Sequence, residues 1–275
     1  MVALFGLGGE GILRTFDQDA EAEKVIGRAS NLGVTYFDSA RAYAGSESYY
    51  GRYFQANRAV FDHVVLASKS GARNARDARQ DLDATLASLE VETIDLWQLH
   101  DVRTDGDLNE ISAPGGALEA FLEAKQLGRV RHIGVTGHYD SAILLKAVET
   151  LPVESVLLPV NVLEGGARGF ISTVIPAARR RGMAVVGMKA FGKGTLLASA
   201  LGLTTTDLLR YALAQDVDTV IVGCHNEGEV TENVRIASLE APMDKSEQMA
   251  LVNRTRKLVP FLAHYRADCL SSLMT

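Results

Sequence analysis

The sequence predicts an α/β protein, a closed (β/α)8 TIM barrel with a C-terminal helical tail, forming one domain over residues 1–275. Three observations predict it. Eight short apolar runs recur along the chain, separated by longer segments with helical spacing. The runs are apolar almost without interruption, as in strands buried on both faces of a parallel sheet. The glycines near the first run (Gly6, Gly8, Gly9 and Gly11) begin inside that run, so they are not read as the GxGxxG turn that follows the first strand of many open doubly wound sheets.

The first strand is read from ALFGL. The helical segment AEAEKVIGRASNLG follows and stops at Gly33. VTYFD is the second strand, with a helix over 46–57 and Ser46 as its N-cap. HVVLASK precedes a helix over 76–89, and TIDLWQLH one over 115–127 that ends before Gly128. VRHIGVT leads into a helix over 140–149 capped by Asp140. SVLLPVN leads into 170–181, closed by Gly182. MAVVGMK is followed by 206–214, with Thr206 as cap, and DTVIVG by 227–238. A helical tail near 245–261 is expected to pack on the barrel.

Composition narrows the function classes. Hydrophobic residues are 47% and charged residues 23%, which suits a soluble globular chain with a sizeable core. The net charge is −6 and no basic stripe exists to neutralise phosphates, so nucleic acid is not an expected partner. No run approaches the roughly 20 apolar residues of a membrane helix, and MVALFGLGGEG lacks the charged start of a signal peptide. Cys224 and Cys269 form no CxxC pair and cannot build a metal cage alone, so no metal site and a reducing cytoplasm are expected.

Barrels of this kind gather chemistry at the C-terminal ends of their strands. The second strand ends on Asp38, with Tyr43 in the loop beyond; the third ends on Lys69 and the fourth on His100. Alone, each has a plain structural explanation: a turn cap, loop packing, a solvated rim lysine, a satisfied rim histidine. Together, on consecutive strands, they make a tuned proton donor. A nearby ammonium favours the phenolate and lowers a tyrosine pKa from its usual value of about 10. Asp38 would hold Lys69 in place, and His100 would hydrogen-bond the same substrate oxygen. A donor aimed at a developing alkoxide suits carbonyl reduction.

The residues also carry a resemblance. GVTYFDSARAYAGSE, LASKS, LDATLASLEVETIDLWQLH, GRVRHIGVTGH, PVNV and IVGCHNEGEVTENV resemble an aldo-keto reductase over about residues 4 to 240. The resemblance implies that Asp38, Tyr43, Lys69 and His100 form a catalytic tetrad, with Tyr43 the general acid in reduction. It implies hydride transfer from a nicotinamide cofactor, NADP(H) or NAD(H), laid across the barrel mouth, to a small carbonyl or alcohol substrate.

Cofactor contacts carry over with departures. Thr136 stands where many members have the Ser of a Ser-Asn pair, but Gly137 has no amide side chain. Asn161 takes the amide position after strand six; the alternative is a buried amide that satisfies nearby backbone. Met188 replaces the aromatic platform under the nicotinamide, or is an ordinary core methionine. Lys189 follows it, in a branch that often carries an iron–sulfur segment, which two cysteines cannot supply. Gly192 and Lys193, in GKGT, would approach the pyrophosphate; the alternative is a flexible lid. Gly223, Asn226, Glu229 and Asn233 fall in the adenosine segment, where acidic groups disfavour a 2′-phosphate and leave NADH as open as NADPH. The N-terminal hairpin of many members is missing, so the tail or a neighbouring subunit of a homo-oligomer is expected to cover the barrel floor. Two other function classes stay open: a nicotinamide-binding regulatory or sensor subunit with little turnover, and an aldolase using Lys69 as a Schiff base.

Overall fold

The computed structural model describes residues 3–167, 169–198, 201–239, 242–263 and 265–267. Eight parallel strands close into a barrel in sequence order: β1 Phe5–Gly11, β2 Tyr36–Asp38, β3 Val65–Ser70, β4 Ile94–Leu99, β5 Val130–Thr136, β6 Ser155–Pro159, β7 Ala184–Met188 and β8 Thr219–Cys224. Each strand pairs with its neighbours in parallel, and β1 closes against β8 through Phe5 opposite Val220 and Leu7 opposite Val222. The predicted fold class is the one observed.

The alternation of side chains divides the core in two. One set fills the bore: Tyr36, Ala67, Leu96, Leu157, Val186, Met188 and Ile221 are all buried there. The other set, with Phe37, Leu66, Trp97 and Val135, packs outward against the helices. Trp97 stacks on Phe121 of the helix Ala117–Gln126 with centroids 3.6 Å apart. Helices Ser46–Ala56 and Ala75–Leu89 meet where Gly51 lies; a Cβ there would stand 2.4 Å from the Ser88 carbonyl oxygen, so only glycine permits the approach.

Several local expectations shift. Asp140 caps its helix as expected, accepting from the Ala142 N–H. Ser46 does not cap; its buried hydroxyl accepts from Ser39. The cap after β7 is Thr204, two residues before the expected Thr206, because Asp207 completes a capping box with it. The expected helix over 170–181 opens as a widened π turn, Phe170–Val174, before the helix Ile175–Arg180. Pro176, without an N–H, cannot extend an α-helical ladder backwards. Asp105–Ser112 and Val162–Gly166 add helices in the loops after β4 and β6. Among the described residues, no helix is long and apolar enough to cross a membrane.

The tail corrects one expectation. Helix Lys245–Thr255 packs beside Val162–Gly166, in a cluster with Val162, Leu163, Leu208, Tyr211, Leu251 and Val252. That helix directly follows β6, so among the described residues the tail helix lies at the C-terminal side of the barrel rather than its floor.

Candidate active site

A cleft of about 1300 Å³ opens at the C-terminal ends of the strands. Asp38, Tyr43, Lys69 and His100 all line it. Lys69 is fully buried at the end of β3, and its Nζ donates to Asp38 Oδ2 at 2.5 Å and to the Ser39 carbonyl. Burial pushes the Asp38 carboxyl up and the Lys69 ammonium down, while each partner's charge and the hydrogen bond between them oppose that drift. Lys69 Nζ lies 4.9 Å from the centre of the Tyr43 ring, and the His100 ring meets Tyr43 edge-on at 5.7 Å.

Tyr43 departs from the expectation of an acidified phenol. Burial raises its pKa well above the ordinary tyrosine value, with Asp38 and Glu10 adding to the rise and Arg14 opposing it. The reason is geometric: Lys69 directs its protons at Asp38 and Ser39, and the carboxylate it holds acts on the phenol as well. Burial first, and Lys69 second, lower the His100 pKa to about 3, so its imidazole is neutral at ordinary pH.

The loop that carries Tyr43 is anchored from behind. Glu47, almost fully buried, accepts from Ser68 Oγ at 2.6 Å and Thr85 Oγ1 at 2.8 Å and pairs with Arg41. It ties the Tyr43 loop to the strand residue beside Lys69 and to the helix Ala75–Leu89.

The cleft extends from the tetrad past Met188 to the start of the helix Glu227–Ala237. Of the residues expected to hold a cofactor, Thr136, Met188, Lys189, Lys193, Gly223, Asn226, Glu229 and Asn233 line it. Asn161 and Gly192 do not. The Asn161 amide is fully engaged: Oδ1 accepts from the N–H groups of Leu163 and Glu164, and Nδ2 donates to the Lys189 carbonyl and Tyr265 Oη. It is the buried amide of the alternative explanation. Thr136 Oγ1 accepts from the Asp101 N–H at 3.2 Å.

Lys189 and Lys193 are cations lining the cleft with no carboxylate within ion-pair distance among the described residues. Burial, then Lys193, brings the Lys189 pKa down to about 8. Asp101, Lys189 and Lys193 all hold positive φ, 55°, 59° and 58°, which side-chain-bearing residues rarely adopt. Strain of this kind concentrates where a loop must aim a side chain.

Several charged lining residues were not singled out in the sequence. Glu10, near the end of β1, and Arg14 beyond it pair at 2.8 Å, and the Arg14 guanidinium lies 5.0 Å from the Tyr43 ring centre. Arg73, Asp101 and Arg103 stand on the far side of His100, Asp101 pairing with Arg103 at 2.6 Å. Asp101 was findable, since it follows His100 directly at a strand mouth. Arg14 was not, because the apparent end of the first strand fell before Gly8, whereas β1 runs to Gly11.

Comparison with known proteins agrees with the geometry. The Aldo/keto reductase family model matches residues 4–205. L-galactose dehydrogenase of Arabidopsis thaliana is 25% identical over 270 residues, spanning 85% of this chain and 83% of that protein. The 6-dehydroglucose reductase of Novosphingobium aromaticivorans is 30% identical over 132 residues, 42% of this chain and 41% of that protein. Among solved structures, the holo form of the aldo-keto reductase AKR11C1 from Bacillus halodurans superposes with a TM-score of 0.76 at 22% identity, covering 92% of each chain. An aldo-keto reductase from Klebsiella pneumoniae in complex with NADPH gives 0.74 at 19% identity, covering 93% of this chain and 92% of that one.

Proposed function

We propose that this chain, which belongs to the aldo/keto reductase family and is an oxidoreductase of it, reduces aldehydes or ketones to alcohols, reversibly, with a nicotinamide cofactor and Tyr43 as proton donor. The observation that carries the proposal is the meeting of Tyr43, Lys69, Asp38 and His100 at one point of a cleft of about 1300 Å³.

The cleft fits the cofactor. Gly71 and Gly194 line it, and a Cβ on either would meet nothing within 4 Å, so the walls leave open space there. Lys189 and Lys193 await an anion, which suits a pyrophosphate. Asn226 and Asn233 stand at the adenosine end. Gly137 has no amide and the Asn161 amide is engaged, so the carboxamide would fall to Thr136 and its neighbours. Bound, the cofactor supplies the hydride.

The chain's own residues manage the proton. Tyr43 holds its proton across the ordinary pH range and gives it to the substrate oxygen as charge develops there. Arg14, on its ring, is the cation that stabilises the phenolate left behind. Asp38 keeps Lys69 charged and fixed. Neutral His100 donates one N–H to the same oxygen. General acid catalysis of this kind contributes about 10²–10⁴-fold.

Glu229 and Glu232 line the adenosine end, and Glu232 pairs with Arg235, its cationic neighbour in the helix. Carboxylates repel a 2′-phosphate, so NADH is proposed to serve at least as well as NADPH. The test is a panel of carbonyl compounds, hydroxylated ones such as sugar aldehydes included, assayed with each reduced cofactor. Turnover with one or more substrates is expected. Cofactor binding without oxidation under single-turnover conditions would instead favour a sensor subunit, and borohydride trapping of a keto substrate on Lys69 an aldolase.

A further inference from the structure

Five buried polar atoms have no hydrogen-bond partner in the bore beneath the Asp38–Lys69 pair: Asp38 Oδ1, both amide atoms of Gln98, Ser155 Oγ and Tyr36 Oη. Their residues are almost completely buried. Strand register places them together. Lys69 stands opposite Gln98, Gln98 opposite Gly134, and Gly134 opposite Ser155, all in one row across β3 to β6. Gly134 has no side chain, and a Cβ there would lie 2.2 Å from Ser155 Oγ and 3.1 Å from Gln98 Cγ. Gln98 and Ser155 therefore share the space above that glycine.

Buried polar groups in native interiors are almost always paired, directly or through ordered water. The inventory here is complementary. Asp38 Oδ1 only accepts, the Gln98 NH₂ donates twice, the Gln98 carbonyl accepts, and the Ser155 and Tyr36 hydroxyls can each donate. Their donors and acceptors complement one another: a hydroxyl can serve the Gln98 carbonyl, and the Gln98 NH₂ can serve Asp38 Oδ1. Gln98 is also among the groups that lower the proton affinity of Asp38.

We propose that Gln98 is a positioning residue for the proposed proton transfer, donating to Asp38 Oδ1 directly or through one water and so keeping the carboxylate ionised against Lys69. The inference rests on the carbonyl-reductase function proposed above. The other groups facing Asp38 are Lys69 from β3, Glu10 from β1, Tyr43 beyond β2, Tyr36 within β2 and Tyr50 from the helix Ser46–Ala56. Of these only Lys69 holds it ionised, and Lys69 binds the opposite oxygen, Oδ2. Among the described residues, Gln98 is thus the neutral amide in the bore placed to stabilise the charge on Oδ1. It does not touch substrate; it acts through Asp38 and Lys69.

Gln98→Met keeps the volume and removes both amide groups. Asp38 should then gain a proton more readily, and Lys69 lose its fixed counter-ion at higher pH. The acid limb of kcat/KM is expected to move up by about one pH unit, the scale of one lost hydrogen bond to a charged group. The cofactor Kd, read by quenching of Trp97 fluorescence, should stay within about twofold. A packing role alone would change stability and leave the limb in place. An acid limb unmoved in an active Gln98→Met variant overturns the proposal while leaving the reductase function intact. A wild-type protein inactive on every carbonyl removes that function instead. A second arm needs no variant: a high-resolution crystal structure should show the Gln98 amide within hydrogen-bond distance of Asp38 Oδ1, or one water bridging them. An amide turned away from Asp38 overturns the inference.

Discussion

Replacing Lys69 by Met tests how the buried pair is held. Both partners are sealed, with side-chain exposures of 0% and 1%, and their closest approach is 2.5 Å. Removing the ammonium strands the Asp38 carboxylate in the bore without its counter-ion. Breaking a buried ion pair on one side costs about 3–5 kcal/mol. For a chain of 275 residues, the usual unfolding entropy converts that to a Tm lowered by roughly 5–9 °C. The loss should depend on pH. Burial already raises the Asp38 pKa, and removing Lys69 raises it further. A carboxyl with a raised folded-state pKa favours the folded form when protonated, so the variant's deficit is smallest below the ordinary carboxylate pKa. The deficit grows as pH rises from there through the folded-state value. Denaturant melts at several pH values read this directly. The double variant Asp38→Asn, Lys69→Met should regain most of the stability and remain inactive. A deficit below about 1 kcal/mol at neutral pH, or one that does not vary with pH, would show that the two groups are not a buried charged pair.

Three further outcomes are expected. Glu47→Ala leaves the hydroxyls of Ser68 and Thr85 unpaired in the interior, so it should destabilise by about 2–4 kcal/mol in urea melts; kcat should fall with it, because the Tyr43 loop loses its anchor. His100, held near a pKa of about 3 from an ordinary 6.5, should give kcat/KM no ionisation between pH 6 and 7. Its lowered value also means that stability falls as pH drops from about 6.5 toward 3, which NMR titration of the imidazole can follow. Glu229→Gln should improve NADPH over NADH by about tenfold in KM, the worth of one like charge removed at close range; equal KM ratios in the parent and the variant would remove Glu229 from cofactor choice.

The barrel was legible because strand and helix periods alternate without a break, and because each tetrad residue stands at or just beyond the end of an apolar run. Spacing within one strand mouth is local information. What sequence left hidden is what depends on register between strands. Gln98 sits inside an apolar run and reads as core until β4 is set beside Lys69 on one side and Gly134 on the other. Arg14 lies well past the apolar run ALFGL, whereas β1 runs to Gly11, and only the closed barrel brings it over Tyr43. Asn161 occupies the expected position, but helix Val162–Gly166 begins at once after it, and its side chain caps that helix. The same local logic that found the caps could have found this one.

The most direct measurement follows the hydride and the proton together. Reduced cofactor deuterated at the transferring carbon, mixed with a good carbonyl substrate in one turnover, is expected to place deuterium on the carbinol carbon of the alcohol when the wild-type protein is used. Tyr43→Phe should bind the cofactor with unchanged affinity and slow that transfer by about 10²–10⁴-fold. Transfer by Tyr43→Phe at the parent rate would contradict the assignment of Tyr43 as proton donor.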